Sequence, residues 1–255
     1  MITIRQAPTL GSAHSDTLIL RCHFAFADYQ DPAHIHDGRL RVLNLGMLKP
    51  EQAYHLGPEA NVDILTWLSA GSLVSHADGF EQEKIGQGGL HLLSTGTGCK
   101  RLEWSAGPEG ATFIQFWFMA DVEGVAPAQE VRASFPQLED GGFRILASGF
   151  PEDDPEEDGQ ITDGAPVTLT ARTRLLHAVI PAAEGAAYST TLGRDLYLLV
   201  VSGIVTIDGY VLHCGDAAAI TGQQDIVVIA QEKSRASSGR CRISLDIKGL
   251  KYQNA

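Results

Sequence analysis

With 255 residues, 44% hydrophobic and 20% charged, the chain has the make-up of a globular protein able to bury a sizeable core, as one large β domain or two smaller ones. A net charge of -12 and a pI of about 5.1 set most of its surface against duplex nucleic acid and anionic membrane. The nearest basic patch, Lys100-Arg101, is too short to offset that field. No apolar run approaches the roughly 18 residues that span a bilayer. The first residues, MITIRQAPTLGSAHSD, lack the basic and apolar regions of a secretory signal, so a cytoplasmic location is expected. Cys22, Cys99, Cys214 and Cys241 are widely spaced and form no CxxC pair. They read as reduced, mostly buried thiols, with Cys99 the candidate for reactivity.

Short apolar, β-branched runs follow one another along the chain. They are Thr17–Leu20, Leu40–Leu45, Asp63–Leu68, Leu90–Leu93, Thr112–Phe118, Val167–Leu169, Leu196–Val201, Ile204–Ile207, Ala217–Ile220, Ile226–Ala230 and Arg242–Ile247. Gly, Pro, Asp and Asn separate them, which predicts many short strands in a sandwich or barrel. No segment keeps a long 3.6-residue period, so helix should be sparse. Short helical turns are predicted near Lys49–Tyr54, Gln137–Asp140 and Ile247–Tyr252.

One arrangement occurs twice. Leu68–Leu73 carries a central glycine and leads to Asp78-Gly79, later glycines and Leu90–Leu93. Val200–Val205 does the same, leading to Asp208-Gly209, Gly215-Asp216 and Ala217–Ile220. Asp-Gly suits a tight hairpin and the later glycines suit barrel corners. Two copies of one β unit predict two barrels, at residues 1–125 and 126–255. The Ala-, Pro- and acid-rich segment Ala120–Asp140 reads as their linker. Pro151–Gly159 (PEDDPEEDG) reads as a solvated acidic loop.

Several stretches together resemble the pirins, a branch of the cupin superfamily. His23–Pro32 (HFAFADYQDP) resembles the family's HTFSFANYYDP, Arg41–Asn44 its LRVIN strand, and Phe113–Phe118 its LQIWI strand. Val62–Trp67 (VDILTW) is similar to the family's (M)EILTY strand, and Gly96–Glu103 (GTGCKRLE) to its GTGxxHxE stretch. The resemblance covers nearly the whole chain. It implies an all-β fold of two cupin-type jelly-roll barrels in tandem, with the site in the N-terminal barrel and a degenerate C-terminal barrel. For the family it implies iron held by three histidines and a glutamate, quercetin dioxygenase activity in some members and regulatory protein binding in others.

This chain departs from that ligand set. Where the family has H-P-H, it has Gly57-Pro58-Glu59; where the third histidine stands, it has Arg101; only Glu103 remains. Arginine has no lone pair to offer a metal. Its charge would repel a unit cation about 4 Å away by about 4 kcal/mol at a dielectric of 20, and a divalent ion by about twice that. Arg101, two residues from Glu103 and so on the same strand face, is instead expected to stand in for the metal charge in a Glu59–Arg101–Glu103 cluster. A collapsed pocket with Arg101 in solvent is the alternative. A shifted metal site from His55, Glu59, His91 and Glu103 is another, and would take iron or a different divalent transition metal.

His76, His177 and His213 read as structural residues, and His34 and His36 as a spaced surface pair without a role. No GxSxG, P-loop or dinucleotide fingerprint appears. The expected ligand pocket comprises Glu59, Arg101, Glu103, His55 and Trp104. The leading expectation is a metal-free, non-catalytic protein that binds a small polar or aromatic ligand or a regulatory protein partner, as monomer or homodimer. The rival is a metal-dependent, quercetinase-like dioxygenase with an altered site.

Overall fold

The computed structural model describes residues 1–133, 135, 142–153, 166–231 and, for the backbone, 240–247. Its strands in chain order begin with β1 (Ile2–Arg5), β2 (Gly11–His14), β3 (Leu18–Cys22), β4 (Leu40–Leu48) and β5 (Ala53–Leu56). The long β6 (Val62–Ala77), β7 (Glu83–Ile85), β8 (Leu90–Ser94), the long β9 (Leu102–Met119) and β10 (Ala128–Arg132) follow. After them come β11 (Arg144–Ser148), β12 (Val167–Thr168), β13 (Arg174–Pro181), β14 (Gly185–Ser189) and β15 (Leu196–Ser202). The last are β16 (Ile204–Ile207), β17 (Tyr210–His213), β18 (Ala217–Ile220), β19 (Asp225–Ala230) and β20 (Arg240–Ile247). Every predicted run falls on one of these strands. Among the described residues the only helical elements are two 3-10 turns, Ala7–Thr9 and Pro151–Asp153, and none is long and apolar enough to cross a membrane. Lys49–Tyr54 is a turn at Pro50-Glu51 leading into β5, not a helix. Gln137–Asp140, most of Ile247–Tyr252 and the acidic loop beyond Asp153 lie outside the described residues.

Two compact units divide the chain, and they are not its successive halves. One comprises Gly11–Phe135 and Pro151–Arg172; the other Met1–Leu10, Pro136–Phe150 and Thr173–Ala255. The split at residue 125 therefore misses two exchanges. The first strand, β1, pairs with β18 from Ile2↔Ile220 to Arg5↔Ala217, and the Asp216 carboxylate accepts the N–H of Ala7 at 2.7 Å and of His213 at 2.8 Å. The segment read as a linker contains β10, an edge strand that pairs with β8 from Ala128↔Ser94 to Arg132↔Leu90. A mixed polar sequence hides an edge strand because only one of its edges needs a partner.

The unit built around Gly11–Phe135 is a nine-stranded sheet in the order β10-β8-β6-β9-β4-β3-β2, with β5 also on β9 and β7 also on β6. Its two long strands bend at register shifts between Leu68 and Ala70 and between Gly71 and Leu73. The bends let one sheet wrap around the core of Leu20, Ile64, Leu93, Trp104, Phe113 and Trp117. In the other unit, one sheet runs β1-β18-β15-β20-β13-β11 and a four-stranded sheet runs β14-β19-β16-β17. Between them lies an aliphatic core that includes Leu176, Ile180, Leu198, Val205, Ile220 and Val228. Both Asp208 (φ 47°) and Gly209 (φ 80°) are left-handed, and Ile207 faces Tyr210, which is the predicted two-residue hairpin. The earlier Asp78-Gly79 differs, since β7 begins only at Glu83 and a longer loop intervenes.

Candidate functional site

Strand alternation along β9 buries Leu102, Trp104 and Ala106 and turns Glu103 and Ser105 to the opposite face. There Glu103 lies in register with His55 on β5 and with His76 on β6. Arg101 Nη2 donates to Glu103 Oε2 at 2.7 Å, His55 Nδ1 lies 3.1 Å from the same oxygen, and Ser105 Oγ donates to Oε1 at 3.1 Å. The hydrogen bond from Arg101 holds the Glu103 carboxyl below the usual range, with Ser105 and His55 adding to it. The guanidinium of Arg101 is 68% exposed while Glu103 is only 12% exposed, so the pair is anchored on one side and solvated on the other.

Glu59 is not part of this group. Its backbone exchanges hydrogen bonds with Cys99, at 3.0 and 2.9 Å, in the loop before β6. Its side chain lines a separate pocket of about 580 Å³ with Phe26, Arg39, Arg41, Val42 and Trp117. The Glu59–Arg101–Glu103 cluster is thus half assembled, because strand alternation unites Arg101 and Glu103 while a loop carries Glu59 elsewhere. Burial pushes the Glu59 carboxyl up, and the Arg41 charge only partly offsets this. Arg39 and Arg41 escaped the sequence reading. Leu40 faces Phe118 and Val42 faces Trp117, so Arg41 is the extra residue of a bulge, and it and Val42 both line the pocket. The visible signal was the Arg-x-Arg spacing at the start of an otherwise apolar strand.

His91 and Trp104 lie in the interior instead. His91 is fully buried in register with Thr66 and Val131, its Nε2 lies 3.2 Å from Gln129 Oε1, and burial lowers its pKa to about 4. Thr66, Gln115 and Asn44 continue that row across β6, β9 and β4, with Gln115 Nε2 donating to Thr66 and Trp117 Nε1 donating to Gln115. Of the shifted set, His55 and Glu103 meet, while Glu59 lines the other pocket and His91 lies in the interior. Among the described residues no group of three or more His, Cys, Asp or Glu side chains has a metal-holding arrangement. Cys99 is buried, and its thiol is pushed up by burial and by Asp78, which removes it as a reactive thiol. His34 and His36 bond to Asp31 and to the Gly38 carbonyl.

Trp104 stacks on Tyr54 with ring centroids 5.7 Å apart, and among the described residues the buried Tyr54 hydroxyl has no hydrogen-bonding partner. Removing that hydroxyl while keeping the ring should relieve its desolvation. Tyr54→Phe is expected to raise the unfolding free energy by about 1 kcal/mol in urea denaturation. A loss of stability would show that the hydroxyl is satisfied in solution.

Residues 4–118 match the family model described as Pirin, and residues 160–236 the one described as the quercetinase C-terminal cupin domain. A pirin-like protein of Caulobacter vibrioides is 30% identical over 234 residues, covering 91% of this chain and 96% of its own. The chain belongs to the pirin family. The tandem cupin fold of pirins matches the two β units described above. The quercetin 2,3-dioxygenase of Escherichia coli K12 is 28% identical over 237 residues, 92% of this chain and 96% of its own. The structure of the bacterial pirin YhhW from Escherichia coli in complex with nickel(II) superposes with a TM-score of 0.83 at 24% identity, covering 98% of this chain and all of that one. At the positions that resemble the pirin ligands this chain carries other groups. Gly57 has no donor, Glu59 faces another pocket, and a guanidinium occupies Glu103.

Proposed function

We propose that this pirin is a metal-free, non-catalytic bicupin that binds a small molecule in the pocket of its N-terminal barrel and acts as a binding or regulatory protein. The observation that carries this reading is the Arg101–Glu103 pair. The carboxylate that resembles a pirin ligand is neutralised by the protein's own cation at 2.7 Å, so a metal would have to displace it against like charge. The pocket that Glu59 lines, with Phe26 and Trp117 and the charged groups of Arg39, Arg41 and Glu59, has the make-up of a ligand site.

The name of the Escherichia coli relative favours a second reading, a metal-dependent dioxygenase with an altered site. Metal analysis of the purified protein, followed by flavonol turnover with added iron, nickel or copper, separates the two. The expected result is substoichiometric metal and no turnover above a protein-free control. Stoichiometric metal with turnover would overturn the proposal.

A further inference from the structure

The charges around the pocket are unevenly matched. Arg39 is paired with Asp121 through its guanidinium. Arg41 is not so matched. Its Nη1 donates to the carbonyls of Ala25 at 3.0 Å and Ile35 at 2.9 Å, which orient the guanidinium but carry no charge. Among the described residues no carboxylate makes an ion pair with it. Glu59, lining the same pocket, is close enough to feel the Arg41 charge but makes no ion pair or side-chain hydrogen bond with it. Phe26 and Trp117 meet edge to face at 5.5 Å and 81°, and present an apolar wall beside this cation. A half-buried guanidinium that is held in place, in ion-pair contact with no carboxylate of the described residues and next to aromatic surface, is suited to a ligand carrying both a charge and a flat body.

We propose that the pocket takes a small planar organic monoanion, such as a single-ring aromatic carboxylate, with its charge on Arg41 and its ring against Phe26 and Trp117. Glu59 then opposes the ligand's charge and limits its affinity. This inference rests on the reading of the pocket as a ligand site.

Calorimetric titration of the full chain at pH 8 with benzoate and cinnamate, and with the neutral benzamide and cinnamamide, tests it. The acids are expected to bind at least about tenfold more tightly than the matching amides. Arg41→Gln should abolish that preference. Glu59→Gln, which removes one negative charge without changing shape, should tighten acid binding by about three- to tenfold. Because Arg41 also holds two loop carbonyls, a misfolded Arg41→Gln leaves Glu59→Gln to decide, since the Glu59 carboxylate forms no hydrogen bond or ion pair among the described residues. Acids and amides binding equally would overturn the charge assignment and leave the pocket reading intact. Weaker acid binding in Glu59→Gln would overturn it as well. If neither acid nor amide binds, the ligand-site reading fails and this inference fails with it.

Discussion

Replacing Asp63 by alanine is expected to lower the unfolding free energy by about 3 kcal/mol. Asp63 is fully buried on β6, and its carboxylate is the anchor for the returning segment around Thr170. It accepts the N–H of Thr170 at 2.6 Å, the Thr170 hydroxyl at 2.9 Å and the N–H of Ala171 at 3.0 Å. Alanine leaves these donors without an acceptor in a buried place, which costs more than the bonds themselves contribute. Urea denaturation of wild type and variant gives the difference directly. A change under about 1 kcal/mol would mean that water replaces the carboxylate there.

The same residue carries a pH signature. Burial raises the Asp63 carboxyl, and its hydrogen bonds from Ser94, Ala171 and Thr170 only partly pull it back. A carboxyl raised by folding contributes most below its unfolded value, near 3.9, because both states are then protonated or the folded one binds the proton better. That contribution is lost as pH rises through the raised folded value, where the folded state must bury a charge. The stability of wild type relative to Asp63→Asn should therefore fall as pH increases across this window and then level off. A relative stability that climbs with pH would contradict the burial argument.

Gly71→Ala is expected to cost about 2–4 kcal/mol. Gly71 has φ 80°, a left-handed conformation that costs a non-glycine residue about 1–2 kcal/mol. A β-carbon there would also lie 2.0 Å from the carbonyl oxygen of Gly110, a backbone atom that cannot move aside by rotating a side chain. This is the corner at which β6 and β9 bend, so displacing it strains the wrapped sheet. Gly79→Ala supplies the control, because Gly79 has φ 84° but open space around its β-carbon position. Thermal or urea unfolding should show the Gly79 variant losing only the conformational part. Equal losses in both variants would remove the clash from the explanation.

The same distinction, between what alternation dictates and what a bend or a loop decides, runs through the site. Arg101 and Glu103 share a strand face because they are two residues apart, and the pair they form was legible for that reason. Glu59 lies in a loop, where no period governs direction, and it turned away from that pair into a pocket with Arg41. Arg41 itself sits at a bulge, where the two-residue period breaks, and it lines the same pocket as the Val42 beside it. The first strand was equally hidden: Ile2–Arg5 finds its partner at Ala217–Ile220, and nothing local marks a pairing so distant in the chain.

The sequence by itself determined that the chain is built of short strands in two repeated β units, that it resembles the pirins, and that the positions resembling their metal ligands read Gly57, Glu59, Arg101 and Glu103. These follow from local composition, from period and from residue identity. Only the tertiary structure decided that Glu103 is held by Arg101 and His55, while Glu59 joins Arg41, Phe26 and Trp117 around a separate pocket. Which side chains meet depends on strand register, bulges and loop paths, and those are set by the packing of the whole sheet rather than by any neighbouring residue.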